Sequence, residues 1–314
     1  MENQKKQGVN PDLDILSPPS SQLELLIERA PEADRNAHLG GRSFYFFDFD
    51  DNVAFLTTMI VLYHKQTNQE LPITSGQYAH EFANIGQSGI YKDYQINWDH
   101  TGGSFRFFRD HHEAELEKLG YKKQVFLSDV AHALGLEDFH WKGPSWSCFY
   151  HATFNQRPVS VITARGHNPE TIMNGINLFV RAGHLPQDPN YLSIFPVSNI
   201  ETRKKLGDHD LNMSTAELKQ AAIRLSVETA IQQYGYSHHH RFGMSDDDPR
   251  NIELITLEMT RLKARYPEMS FFMIETFKGS FIKHEVTVHG IKDSLLSEKD
   301  AEQYALFSDQ GPTI

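Results

Sequence analysis

Three carboxylates crowd the end of an aromatic run in Phe44-Tyr45-Phe46-Phe47-Asp48-Phe49-Asp50-Asp51-Asn52-Val53. Four aromatics in a row read as a short buried strand, too β-prone for a helix. Charges at the end of such a strand cost heavily unless they are paired or hold a cation. In a central strand of an open parallel sheet, Asp48 and Asp50 fall in the crevice beyond the carboxyl end, where ligands bind. Strand alternation points the two side chains the same way, about 6 to 7 Å apart along the chain. Two convergent acids at a strand tip suit Mg²⁺, and they suit a nucleophile working beside a proton-transfer group. For this segment alone, a solvated acidic turn is the plainer alternative.

The elements around the acids show how they would be held. Residues 1–20 read as a flexible tail, and 22–30 as a short amphipathic helix offering Leu23, Leu25, Leu26 and Ile27. A helix is predicted over 53–65, with Asn52 as its N-cap. Residues 66–140 change character, being rich in Gln, Asn, Gly, Tyr and His, with one charged helix over 111–119. That stretch reads as an insertion or cap.

Strand–helix alternation resumes near Ser145, with helices expected over 145–156, 169–183, 214–234 and 252–266. Strands are expected over 158–163, 191–196, 241–245 and 270–276. Ser214 and Glu217 have the spacing of a capping box. The fold class is therefore α/β, a doubly wound parallel sheet with helices on both faces. The core would comprise 21–65 and 141–295, the cap 66–140, and a polar tail 296–314.

Three strand ends carry loaded loops: Asp48/Asp50, then Val159-Ser160-Val161-Ile162-Thr163-Ala164-Arg165-Gly166, then Phe242-Gly243-Met244-Ser245-Asp246-Asp247-Asp248. In order and chemistry these resemble the first, second and fourth motifs of the haloacid dehalogenase (HAD) superfamily of phosphohydrolases. The resemblance brackets residues 44–251 and implies a Rossmann-like core with a cap inserted between the first two motifs. It implies a nucleophilic role for Asp48, giving an aspartyl-phosphate, and a general acid/base role for Asp50. A carboxylate of ordinary pKa, about 3.9, is already ionised at neutral pH and needs no activating base. Thr163 would hold a phosphoryl oxygen, helped by the turn at Ala164 and Arg165. Arg165 is equally suited to pairing with a neighbouring acid. Mg²⁺ would be held by Asp48, Asp50 through its main-chain carbonyl, and Asp246 or Asp247.

The superfamily also needs a lysine beside the nucleophile, and Lys219, Lys204 and Lys205 are the alternatives, with Lys219 favoured. Asn52 stands where the family usually shows Thr or Val, and Asn251 where many members carry a further Asp. Retention of Asp50 argues against haloacid dehalogenation, whose enzymes in this superfamily lack the second Asp. The expected activity is hydrolysis of a small-molecule phosphomonoester. A fold retained for binding without turnover, or a nucleic-acid end-processing phosphatase, are the alternatives. With Thr163 lying 115 positions after Asp48 (163 − 48), the insertion has room to choose the substrate.

Bulk properties narrow the field. A net charge of −11 disfavours nonspecific nucleic-acid binding, which needs a basic surface. The single cysteine, Cys148, excludes an intramolecular disulfide framework and reads as a small buried hydrophobe. No apolar stretch resembles a secretory leader or a membrane span, so a cytoplasmic location is expected. His238-His239-His240 and His111-His112 read as turn or exposed segments, because adjacent strand side chains diverge and do not share an ion. The aromatics Tyr91, Tyr94, Trp98, Phe105, Phe107 and Phe108 read as a small core of the insertion, or as a stacking surface for a base or sugar.

Overall fold

The computed structural model describes residues 30–99, 101–277 and 280–292. The helix expected over 22–30, Ala30 apart, and both tails lie outside the described residues. The chain divides into two compact units between Pro31 and Glu32, and every element below belongs to the second.

Strand β1 (Ser43–Phe47) follows directly from the aromatic run. An antiparallel hairpin comes next, β2 (Ile60–His64) and β3 (Glu70–Ile73), then α1 (Ser75–Glu81) and the short β4 (Tyr94–Gln95). The predicted helix over 53–65 is therefore wrong. Val53 and Ala54 close one turn by donating to the Phe49 carbonyl, and the chain then extends into β2. Ile60-Val61-Leu62-Tyr63 is rich in β-branched and aromatic residues, and it is buried in a separate three-stranded sheet with β3 and β4. Ile60, Leu62, Ile73 and Tyr91 form the core of that sheet, with Tyr78, Tyr94, Phe105 and Phe108 packed against it. Most of the insertion's aromatics are thus core, while Trp98 is exposed and stacks on Phe105.

Helices α2 (Glu113–Lys118), α3 (Val125–Ala133), α4 (Asp138–Trp141) and α5 (Trp146–Phe154) lead back to the main sheet. There β5 (Pro158–Thr163), α6 (Pro169–Arg181), β6 (Asn190–Pro196) and α7 (Ile200–Lys205) follow. Next come α8 (Thr215–Tyr234), β7 (Arg241–Asp246), α9 (Pro249–Arg265) and β8 (Ser270–Phe277). The sheet order is β10-β9-β8-β7-β1-β5-β6, where β9 (Ser280–Thr287) and β10 (Gly290–Lys292) form an antiparallel edge. β1 pairs in parallel with both β5 and β7, so it is central.

Strand alternation sorts the apolar residues onto two faces. Phe44 and Phe46 pack with α8 and α9, whereas Phe47 packs with α3, α5 and α6. Every residue of β5 is buried, as a strand covered on both faces requires. The chain moves from β1 outward through β5 and β6, then crosses back to β7 on the other side of β1. The carboxyl ends of β1 and β7 therefore flank the point where strand order reverses, the place where open α/β sheets bind ligands. Among the described residues no helix is long and apolar enough to cross a membrane.

Candidate active site

Asp48 follows β1 and Asp246 ends β7, and neighbouring strand ends bring them together. One oxygen from each of Asp48, Asp246 and Asp247 lies within 4.8 Å of the others. Lys219, on the buried side of α8, reaches into this cluster. Its Nζ lies 3.1 Å from Asp48 Oδ1 and 2.7 Å from Asp246 Oδ2. Lys219 is 2% exposed, so this ammonium has exchanged water for carboxylates. Burial lowers its pKa, but Asp246 and Asp48 more than compensate and hold it above the ordinary lysine value. Lys204, in α7, pairs with Glu201 instead, and Lys205 lies over the Phe195 ring. Of the three lysines weighed from sequence, only Lys219 contacts the acids.

The carboxylates are electrostatically unequal. Burial pushes the Asp48 pKa well up, Lys219 opposes this, and Asp246, Asp247 and Asp50 reinforce it. Burial, with Asp246 and Asp51 nearby, raises Asp247 to about 7. Asp246 Oδ1 accepts from the Asp248 main-chain N–H at 3.0 Å and from Asn251 Nδ2 at 3.2 Å. Asn251 thus hydrogen-bonds an acid of the cluster.

Asn52 is not a helix cap. It is fully buried and ties the strand ends together. Its Nδ2 donates to the Asp48 carbonyl at 3.0 Å and to Ser245 Oγ at 2.9 Å. Its Oδ1 accepts from Ser145 Oγ and Thr276 Oγ1, each at 2.8 Å. One side chain therefore links β1, β7, β8 and the start of α5. A Cβ on Gly143 would come within 2.3 Å of the Asn52 carbonyl, so the loop before α5 approaches this turn as only glycine permits. Asp51 adopts φ 57°, a left-handed conformation that Asp tolerates better than most residues.

Asp50 points to other partners. Its Oδ2 accepts from Arg165 Nε at 2.8 Å, and its Oδ1 from Arg165 Nη2 at 2.7 Å. Thr163 Oγ1 also donates to Asp50 Oδ2, at 3.3 Å. Of the two roles open to Arg165 in the sequence, the structure displays the acid pairing. Thr163 is fully buried at the end of β5, while Ala164 on the turn is exposed.

The oxygen donors fit a hard cation. Asp48, Asp246 and Asp247 could hold a metal ion, and the cluster they form contains no thiolate or imidazole group that would favour a softer one. His240 is buried in its turn and hydrogen-bonded to the Gly235 carbonyl and the Arg42 N–H. His111 is buried as well, against the Arg106 carbonyl and Glu115. These two depart from the expected exposure, and local hydrogen bonds account for both. Cys148 is buried as expected, and burial pushes its thiol up to about 12. Comparison with protein-family models, curated proteins and solved structures finds no match to this chain.

Proposed function

We propose that this protein is a Mg²⁺-dependent phosphomonoester hydrolase of HAD type, working through an aspartyl-phosphate on Asp48. The observation that carries this reading is the Lys219 ammonium set between Asp48 and Asp246 at the crevice beyond β1 and β7. A lysine there pulls charge from both the nucleophile and an incoming phosphate, and so favours their approach.

Asp48 attacks phosphorus while the bond to the ester oxygen breaks, and Asp50, which must leave its ion pair with Arg165 and enter this step protonated, gives that oxygen its proton. Asp50, now ionised, takes a proton from the water that attacks the aspartyl-phosphate. Phosphate leaves and Asp48 is regenerated. The Thr163 hydroxyl, which donates to Asp50 without substrate, would turn to a phosphoryl oxygen. Asp48, the Asp50 carbonyl and Asp246 or Asp247 would hold a Mg²⁺, which would supply charge neutralisation for two anions that must meet. The insertion over 66–140, which carries β3 and β4, selects the alcohol.

The test is phosphate release from an aryl phosphate and a panel of sugar, nucleotide and amino-acid phosphates. Each is run with Mg²⁺, with chelator, and with Asp48→Asn. Release that needs both Mg²⁺ and Asp48 supports the reading. A folded, Mg²⁺-binding protein that releases nothing contradicts it.

A further inference from the structure

The two faces of the main sheet are covered unevenly. On one face Phe44, Phe242, Phe271, Met273 and Val286 join a single core with α8 and α9. On the other, the core under α3, α5 and α6 takes residues from β1 and β5 but none from β7, β8 or β9. A cavity of about 300 Å³ opens there, beside α5. That is the small end of the range for ligand pockets, about 300–1,000 Å³. Its lining shares no residue with the cluster of Asp48, Asp246, Asp247 and Lys219.

Strand register explains the hollow. Tyr45, Gly243 and Phe272 stand opposite one another on β1, β7 and β8, and residues directly opposite share a face. Gly243 puts no side chain into the row. A Cβ built on it would meet no atom of another strand closer than Ile274 Cδ1, at 3.4 Å. The result is a slot over Gly243, with Tyr45 on one side and the half-buried Phe272 ring on the other.

The walls are cationic, in a chain whose net charge is −11. Arg35, Arg157, Arg241 and Lys283 line the cavity against Glu32 and Asp34. Arg157 is engaged by Asp34 Oδ2 at 3.3 Å and by the Glu32 carbonyl at 2.8 Å. Arg241 is not engaged in this way. Its guanidinium lies 4.9 Å from the Phe272 ring centre, and among the described residues no carboxylate or hydrogen-bond acceptor meets it. Lys283 Nζ lies 4.3 Å from the same ring centre. Two cations drawn to one ring repel each other, and an anion beside them relieves that repulsion. Tyr45 and Cys148, also in the wall, add no negative charge, because burial raises both pKa values and keeps phenol and thiol protonated.

We propose that this hollow binds a small aromatic carboxylate, its ring in the slot over Gly243 and its carboxylate on Arg241. A guanidinium meets a carboxylate through two parallel N–H···O bonds, and the Phe272 ring already holds one side of the fork. Tyr45 and Phe272 offer aromatic surface to the ring of the guest. A wholly apolar guest would leave Arg241 unmatched, and a simple inorganic anion would leave the slot unfilled.

The test is calorimetric titration of the full chain with phenylacetate and 2-naphthoate, and with phenylacetamide as the uncharged match to the first. Wild type, Arg241→Gln and Gly243→Val are compared. Wild type should bind both acids at a single site and the amide about tenfold or more weakly, as loss of a charge-assisted pair predicts. Arg241→Gln should lose about that factor on the acids and little on the amide. General loosening of the fold would weaken both alike. Gly243→Val fills the slot and should weaken acid and amide together. Arg241 sits half-buried at the start of β7, so its variant still reads the site if Gly243→Val does not fold.

No binding of either acid at about 10 mM, above the range of even weak ligands, would overturn the proposal. Equal affinity for acid and amide would also overturn it, because charge would then not be read. Acid binding unchanged in Arg241→Gln would place the guest elsewhere, with the same consequence.

Discussion

Lys219 Nζ stands 3.1 Å from Asp48 Oδ1, joining a residue near the start of α8 to the tip of the central strand. It also lies 2.7 Å from Asp246 Oδ2. Removing one partner from a buried ion pair strands the other charge, at a cost of about 3–5 kcal/mol. Lys219→Ala should therefore melt well below wild type in chelator. Added Mg²⁺ should raise its melting temperature more than that of wild type, since the ion replaces the missing cation. A variant as stable as wild type in chelator would contradict this.

Asp247 gives the metal-free protein a pH dependence of definite sign. Its pKa rises on folding from the ordinary carboxylate range to about 7. The folded state therefore binds more protons than the unfolded state between about pH 4 and pH 7, and stability falls as pH rises through that window. Urea melts of Asp247→Asn in chelator should show a shallower fall. Mg²⁺ affinity in wild type should strengthen up to about pH 7, because the ion competes with the proton. Affinity independent of pH between 5.5 and 7.5, roughly the range about this pKa, would count against Asp247 as a ligand.

His167 has the opposite sign. It is fully buried, and neither ring nitrogen has a hydrogen-bond partner among the described residues. Burial, with Arg165 and His111 nearby, holds its pKa well below the ordinary value. The unfolded chain takes up a proton near pH 6.5 and the folded chain does not, so stability falls as pH drops below that value. His167→Leu should flatten the acid side of the profile and match or exceed wild-type stability at pH 5. Equal acid sensitivity in the two proteins would contradict the assignment.

Asn52 should be intolerant of truncation. Asn52→Ala leaves the Asp48 carbonyl and the hydroxyls of Ser145, Ser245 and Thr276 short of partners. A cost of about 3 kcal/mol or more is expected from that many buried groups. Asn52→Asp should be no better, since a carboxylate cannot donate to the Asp48 or Ser245 carbonyls. Denaturant melts measure both.

The three loaded strands were legible because each is a short apolar run ending in polar residues, a pattern with few other readings. β1, β5 and β7 lie where Phe44–Phe47, Val159–Thr163 and Phe242–Ser245 placed them. The hairpin was not legible. Val53 to Tyr63 satisfies helical and extended patterns alike, and pairing with β3 decides the matter, a contact no local window contains. Lys219 could be favoured but not singled out, because a lysine on a helix is ordinarily solvated. Its signal was its neighbours Leu218, Ala222 and Ile223, which mark the buried side of α8. The link from Asp50 through Arg165 and Thr58 to Asp129 joins four separate segments and has no sequence signature. The antiparallel edge, β9 and β10, was missed because its residues mix polar and apolar types along an edge that is partly exposed.

The central claim is that Asp48 carries the phosphoryl group. The most direct measurement is acid quenching during turnover of the best substrate, followed by mass spectrometry of the peptide that contains residue 48. A phosphoryl adduct on Asp48 that builds up with substrate, is lost on a chase and is absent in Asp48→Asn is the predicted result. Turnover that proceeds in Asp48→Asn, or an adduct on another residue, would contradict the account.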